Sequence, residues 1–356
     1  MAKFHTLTVM DIKKTIKDAV VVTLAPNGGK AFEFTQGQYL TFRRDFDGEE
    51  LRRCYSICTS TTGENLAVGI KQVDGGAFST WANTELKIGD QMEVMPPMGT
   101  FYGEETNNPA PHILCFAAGS GITPILSILR TKLVENPYAS FTLVYANRNV
   151  NTIMFREELE DLKNEHLERL RIIHILEDDT DGVELLSGRI DDKKCTRLFD
   201  QLIDLNSIDV TYICGPQPLM LTLSGALEKY GLSKSQIRFE LFASDQPGRA
   251  KKKARSANDQ AAGISAKTTV NGESKSFNMS KDTSLLEAAI ENKLDAPFAC
   301  KAGVCSTCKA KIVDGKVEMI ANHALEDYEV EAGYVLTCQS YPVSDSVAWD
   351  YDQGGH

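Results

Sequence analysis

Four cysteines constrain this chain more than any other feature. One segment reads Cys300-Lys-Ala-Gly-Val-Cys305-Ser-Thr-Cys308, and Cys338 follows after 29 intervening residues. A C-x4-C-x2-C run with a lone distal cysteine is a spacing that holds a 2Fe-2S cluster, whose two irons take four thiolates. Structural zinc sites usually draw their ligands from two CxxC-like pairs. The residues between the cysteines suit the cluster as well. Ala302, Gly303, Ser306 and Thr307 are small, so the loop can close and turn backbone N–H groups towards the sulfurs. Cys300, Cys305, Cys308 and Cys338 are therefore expected as metal ligands. A zinc knuckle and chance buried cysteines are the other readings of the same residues.

At 356 residues the chain is long enough for two or three domains. Its 42% hydrophobic and 24% charged residues are globular values. A net charge of −11 argues against a nucleic-acid partner, because a polyanion meets repulsion over most of such a surface. Nine cysteines and an N-terminus that turns polar at once, MAKFHTLTV, favour a reducing cytoplasm over secretion. The uncharged stretch 112–129 approaches membrane-span length. Gly119, Ser120, Gly121 and Pro124 interrupt it, so a strand, tight turn and helix are expected there and no membrane association.

Three textures follow one another along the chain. Residues 1–105 carry short runs rich in Val, Ile, Thr, Tyr and Phe (FHTLTV, VVVTLA, YLTFRR, RRCYSI, LAVGIKQV) with one helix near Phe78–Glu85, which suggests an antiparallel β-barrel or sandwich. Residues 106–243 alternate apolar strands with helical stretches, from HILCFAA to VTYICG and PLMLTLSGALEKYG, the pattern of an α/β parallel-sheet domain. Residues 244–267, with the run KKKAR, have linker composition. Residues 268–356 form a third unit with 14 Asp and Glu against 7 Lys and no Arg.

Two glycine motifs carry phosphate-binding chemistry. Gly75-Gly76-Ala-Phe-Ser79-Thr80 opens the first helix, so backbone N–H groups and two hydroxyls could hold a pyrophosphate there; the same residues also suit an ordinary turn and helix cap. Gly119-Ser120-Gly121-Ile-Thr123-Pro124 follows the strand HILCFAA. Pro124 replaces the third glycine of GxGxxG, and a proline in the first helical turn preserves a strand-turn-helix geometry. A plain βα turn is the alternative. Cys54, Cys58, Cys115, Cys195 and Cys214 have no evident metal partner and are read as reduced residues.

Taken together these motifs carry a resemblance. The cysteine spacing, the small-residue loop and the preceding run LLEAAIENKLDAPFAC, which fits the helix before the cluster loop in that family, resemble the plant-type ferredoxin family, a β-grasp α+β fold, over about residues 268–352. Arg53-Cys54-Tyr55-Ser56, Val68-Gly69-Ile70-Lys71 and Gly76-x-x-Ser79, in that order, resemble the flavin barrel of the ferredoxin-NADP reductase superfamily; Gly-x-Gly-x-Thr-Pro and Cys214-Gly215-Pro216 are similar to its nucleotide motifs. The resemblance implies FAD, with Arg53 at its pyrophosphate, Tyr55 against the isoalloxazine and Ser56 near flavin N5. Gly76, Ser79 and Thr80 would cap the phosphates, with Val68, Ile70 and Lys71 on the neighbouring strand. It further implies a nicotinamide cofactor at Gly119, Ser120, Gly121, Thr123, Cys214, Gly215 and Pro216. Ser56, Cys214 and Glu240 would stand at the reacting centre. Glu240 and Phe242, in Arg238-Phe-Glu240-Leu-Phe242, equally suit a final core strand. The strand FTLVYANR ends on Arg148 with no acidic residue to hold a ribose 2′-hydroxyl; Arg148 could pair with a 2′-phosphate, which favours NADPH over NADH, or equally be a solvated strand-end arginine.

Such an order of modules implies a route for electrons, from a hydride donor through a flavin to a one-electron centre of potential near roughly −400 mV. A separate oxygenase would be the acceptor. The arrangement and the run DGEELRRCYSIC at 47–58 resemble the reductases of the multicomponent di-iron monooxygenases of phenylacetate degradation. The acidic third unit would meet a basic patch on that partner. A reductase for another oxygenase or a cytochrome P450 uses the same modules, and a redox-sensing carrier without steady turnover is the reading from a different class.

Overall fold

The computed structural model describes residues 4–26, 32–63, 66–102, 106–179, 182–241 and 263–354. Two compact units make up the chain: residues 5–51 with 55–242, and residues 243–356, to which 1–4 and 52–54 are assigned.

The larger unit begins with six antiparallel strands, β1 (His5–Ile16), β2 (Ala19–Pro26), β3 (Tyr39–Phe46), β4 (Glu49–Ser56), β5 (Leu66–Lys71) and β6 (Gln91–Val94), and helix α1 (Ala77–Thr84). Their order is β4-β3-β6-β1-β2-β5. Ile57, just past β4, bridges Val68 of β5 and closes the sheet on itself, as expected for a barrel. Alternation decides which side chains fill it. Val20, Val22 and Leu24 are buried with Phe42, Val68, Ile70 and Phe78, while Val21 packs against the neighbouring core. Each fully buried aliphatic of this kind stabilises the fold by roughly 1.5–3 kcal/mol.

The rest of this unit is a five-stranded parallel sheet. Strands β7 (His112–Ala118), β8 (Ser140–Asn147), β9 (Leu170–Leu176), β10 (Val210–Gly215) and β11 (Ile237–Leu241) alternate with α2 (Ile122–Glu135), α3 (Arg156–Glu165), α4 (Asp192–Gln201) and α5 (Gln217–Lys229). The order is β11-β10-β7-β8-β9. The chain winds outwards from β7 through β8 to β9, then returns to β10, so the strand order reverses between β7 and β10. Ligands of open α/β sheets bind beyond the carboxyl ends of the strands at such a point. The uncharged stretch 112–129 is β7, a turn and the start of α2, and no described helix is long and apolar enough to cross a membrane. Cys58, Ala67 and Phe101 from the barrel share a core with α2 and the strands β7, β8 and β10.

The second unit contains β12 (Ile264–Val270), β13 (Glu273–Met279), α6 (Leu285–Glu291), β14 (Lys309–Met319), α7 (Asp327–Glu331), β15 (Tyr334–Leu336) and β16 (Ser340–Asp350), in the order β13-β12-β16-β14-β15. β12 and β16 run parallel and the other pairs antiparallel, a β-grasp sheet around Trp349, Leu285 and Leu336. Ser284 caps α6 by accepting the Glu287 N–H at 3.2 Å. Two expectations need correction. Residues 264–267, expected to be linker, belong to β12, because Ile264, Ala266, Thr268 and Val270 alternate into the core; residues 244–262 of that segment lie outside the described residues. The helix before the cysteine loop ends at Glu291 and does not extend through LDAPFAC, since Lys293 turns left-handed at φ +59° and Pro297 cannot donate to a helix.

Candidate functional site

Ser56 at the end of β4 is 1% exposed, and its hydroxyl donates to Glu240 Oε2 at 3.1 Å. These residues lie 184 positions apart, one on the barrel and the other on β11. Glu240 is in turn the register partner of Cys214 on β10. The barrel and the parallel sheet thus bring together all three residues expected at the reacting centre. Glu240 keeps some solvent access, yet protein surrounds its carboxyl, and desolvation pushes it up to about 8 against the hydrogen bond from Ser56. Burial likewise drives the Cys214 thiol well above its usual range, with the Glu240 charge adding to the effect. At neutral pH this corner therefore holds hydrogen-bonding groups that are mostly uncharged. Phe242 lies outside the described residues.

The turn after β7 sits at the sheet's reversal. Gly119–Gly121 form one 3-10 turn before α2 begins at Ile122, which places Pro124 in the first helical turn as expected. Gly121 lies directly on the end of β10. A Cβ there would come within 2.2 Å of the Cys214 carbonyl oxygen, so only glycine lets the two motifs share one crevice. The Thr123 hydroxyl donates to the Ser120 carbonyl at 3.0 Å, and Thr123 is 1% exposed; it braces the turn from within. Lys71, at the end of β5, reaches the mouth of this crevice, its Nζ lying 3.9 Å from where a Gly119 Cβ would stand. Arg148 and Pro216 are exposed beyond the ends of β8 and β10. This geometry suits an anionic dinucleotide: two glycine turns meet at the start of α2 with the Lys71 cation beside them.

Around the other glycine motif, Tyr55 packs on Phe42 and Phe78 with ring centroids 5.8 and 5.6 Å apart. Gly76 precedes α1 with no side-chain cap, leaving first-turn N–H groups available to an anion. A cavity of about 590 Å³ opens there, lined by Arg44, Phe46, Gly75, Gly76, Thr80 and Trp81 among others. The Arg44 guanidinium lies 3.9 Å over the Trp81 ring. The Ser79 hydroxyl, expected as a phosphate donor, is engaged within the loop, accepting from the Val73 N–H and donating to the Gly76 carbonyl. Val68 and Ile70 point into the barrel core, so only their backbone can face a ligand. Arg53 is exposed on β4 and donates to the Arg52 carbonyl at 2.8 Å.

A further pair was not singled out from the sequence. Phe155 caps α3 in a left-handed conformation at φ +56°, a strained state for a bulky residue. Its N–H donates to Thr15 Oγ1 at 2.6 Å. Thr123 and the Phe155 ring both press on Gly69 of β5, where a Cβ would meet them at 2.7 and 3.2 Å. A glycine inside a strand pattern was the available signal, since it marks close approach by another element.

In the second unit, Cys305, Cys308 and Cys338 are buried and Cys300 is partly exposed. Cys305 donates to Cys300 Sγ at 3.1 Å, and the Ala302 N–H points to the same sulfur at 3.3 Å. The Cys305 and Cys338 thiols, then the Ala302 and Val304 N–H groups, hold Cys300 well below the ordinary thiol range. Cys338 also interacts with Cys308. Cys305 and Cys338, whose thiols share their protons with Cys300, are held well above that range, so the four sulfurs form one interacting group; converging sulfurs and inward N–H groups are what a cluster frame requires. Among the described residues no three His, Cys, Asp or Glu side chains are spaced for one metal ion; a 2Fe-2S cluster spreads four thiolates over two irons. The loop and the crevice fit the groups that the sequence motifs call for.

Comparison with known proteins agrees part by part. Residues 7–102 match the oxidoreductase FAD-binding domain, 116–224 the oxidoreductase NAD-binding domain and 268–343 the 2Fe-2S iron-sulfur cluster binding domain. Fold and site define a three-domain flavin and iron-sulfur oxidoreductase, and the chain belongs to the family of reductase components of oxygenase systems. A component of the 1,2-phenylacetyl-CoA epoxidase from Escherichia coli strain K12 is 40% identical over 358 residues, spanning 100% of this chain and 99% of that protein. The ferredoxin reductase component of 3-ketosteroid-9-alpha-monooxygenase from Mycolicibacterium smegmatis is 31% identical over 98% of this chain and 97% of its own length. Phthalate dioxygenase reductase has the same fold, with a TM-score of 0.60, 23% identity and 98% of each chain covered.

Proposed function

We propose that this chain oxidises NADPH at Ser56, Cys214 and Glu240 and delivers electrons singly through Cys300, Cys305, Cys308 and Cys338 to a multicomponent di-iron monooxygenase, the phenylacetyl-CoA epoxidase. The observation that carries the reading is the hydrogen bond between Ser56 and Glu240, which joins a residue of the barrel to one of the parallel sheet and supports a reacting centre there. The acceptor is inferred from the relative that is 40% identical over the whole chain. Bound FAD supplies acceptance of a hydride and release of single electrons, and a 2Fe-2S cluster takes one at a time.

The residues divide the work. Tyr55 offers an aromatic face and Ser56 a hydroxyl to the isoalloxazine; Arg53, Gly76, Ser79 and Thr80 hold the FAD phosphates, Ser79 by shaping the loop, with the backbone of Val68 and Ile70 alongside. Gly119, Ser120, Gly121, Gly215 and Pro216 form the nucleotide crevice, Thr123 braces it, and Lys71 offers charge to the pyrophosphate. Cys214 presents a neutral thiol to the nicotinamide. Glu240, protonated at neutral pH, orients Ser56 without setting a negative charge beside a departing hydride. Arg148, exposed past the end of β8, pairs with a 2′-phosphate. All nine cysteines are free of disulfides, which supports a cytoplasmic location.

An anaerobic visible titration tests donor and cofactors together. NADPH bleaches flavin and cluster absorbance at concentrations where NADH does not; a preference for NADH overturns the donor assignment. The acceptor is tested by adding the reduced chain to the epoxidase complex and to a steroid monooxygenase. Product from the steroid enzyme alone overturns the proposed partner.

A further inference from the structure

The residues on either side of Cys338 make contacts that the cluster-ligand reading does not use. Thr337 and Gln339 flank the distal cysteine on a short 3-10 turn and are 0% and 5% exposed. Thr337 donates twice to the carbonyl of Cys308, by its N–H at 3.2 Å and its hydroxyl at 2.9 Å. The buried Tyr351 hydroxyl donates to the Thr337 hydroxyl at 3.0 Å. On the other side, the Gln339 amide donates to the carbonyl of Lys301 at 3.0 Å, while its own backbone carbonyl accepts the Ile320 N–H at 2.9 Å.

Lys301 follows the first ligand, Cys300, and stands in the left-handed region at φ +53°. A lysine adopts that conformation only where its surroundings impose it. Gly303, two residues on, lies so near that a Cβ would meet Gln339 Cγ at 3.0 Å and the Ala321 carbonyl oxygen at 2.8 Å. The lone cysteine is thus tied to the loop of the other three by its neighbours' side chains, through groups that bind no metal themselves.

We propose that Gln339 and Thr337 are positioning residues that lock the distal cysteine onto the cluster loop, Gln339 by holding Lys301 left-handed and Thr337 by gripping the Cys308 carbonyl. The inference rests on the reading of the four cysteines as cluster ligands. With the lock in place the four sulfurs would stay preorganised towards a bound cluster and slow its loss of iron. Without it, iron is lost.

The test uses the full-length protein with its cofactors and follows the bleaching of cluster absorbance by a ferrous chelator, with the electron paramagnetic resonance signal of the reduced protein as second readout. Gln339→Ala bleaches on the order of ten times faster, the loss expected for one buried hydrogen bond. Lys301→Gly, which removes the cost of the left-handed backbone, returns the Gln339→Ala protein towards native lifetime. Thr337→Ser keeps the hydroxyl and the native lifetime, whereas Thr337→Val shortens it. Native lifetime and unchanged resonance in Gln339→Ala overturn the proposal, as does equal lifetime in Thr337→Ser and Thr337→Val. Cys338→Ser separates the two readings: if it retains the native resonance signal, the ligand assignment fails, and if it loses that signal while Gln339→Ala keeps both native lifetime and native resonance, only the lock fails.

Discussion

The Ser56 hydroxyl meets the Glu240 carboxyl at 3.1 Å although the two residues belong to different sheets. Glu240 ordinarily ionises near 4.5, and in the fold near 8. Between these values the unfolded chain has released a proton that the native one retains, so stability falls as pH rises from about 4.5 to about 8 and levels off above. Glu240→Gln abolishes that fall. Thermal unfolding from about pH 5 to about pH 9 is expected to show the variant gaining on the native protein through this window; parallel curves would show that Glu240 does not titrate there.

Gly121→Ala drives a Cβ into the Cys214 carbonyl, so the turn and β10 must separate. NADPH affinity is expected to fall on the order of 100-fold, equivalent to roughly 2.7 kcal/mol. The FAD content should fall much less, because the phosphate loop Gly75–Thr80 is not among the atoms that a Gly121 Cβ would meet. Calorimetric titration with NADPH and the flavin absorbance of the same sample measure both.

Gly69→Ala crowds Thr123 and Phe155 together. Overpacking of this kind costs about 1–3 kcal/mol, and Thr123 passes the displacement to Ser120 through its hydrogen bond. A lower melting temperature and slower flavin reduction by NADPH are expected together. An unchanged reduction rate in a destabilised protein would show that this contact supports the fold and not the alignment.

Cys338→Ser removes one thiolate from the cluster frame. Transfer to the oxygenase is expected to vanish while NADPH-dependent reduction of ferricyanide keeps its native rate, since that reaction needs only the larger unit. Stopped-flow absorbance at flavin and cluster wavelengths separates the two steps.

Much of this architecture is legible in the chain because its signals are local. The cysteine spacing, the alternation in VVVTLA and the strand-turn-helix around Gly119 each depend on a few neighbouring residues. What escapes reading depends on partners far away. β6 is four residues long and carries only two buried side chains. α4 has a polar sequence with just Cys195, Leu198 and Phe199 turned inwards. The start of β12 reads as linker until β13 and β16 pair with it. Glu240 could have been an ordinary strand residue; Ser56, 184 positions earlier, gives it a role. The engagement of Ser79 inside its own loop is likewise a matter of three-dimensional closure.

The last strand in sequence, β16, lies in the middle of its sheet, between β12 and β14. In chain order Cys300, Cys305, Cys308 and Cys338 all precede this central strand, so the core around them is incomplete until it is added. Until Ser340–Asp350 emerges, Trp349 and Tyr351 are missing from the core and Thr337 lacks the hydroxyl above it. A deletion of Ser340–Asp350 would accordingly keep all four thiols and remove the strand that joins β12 to β14.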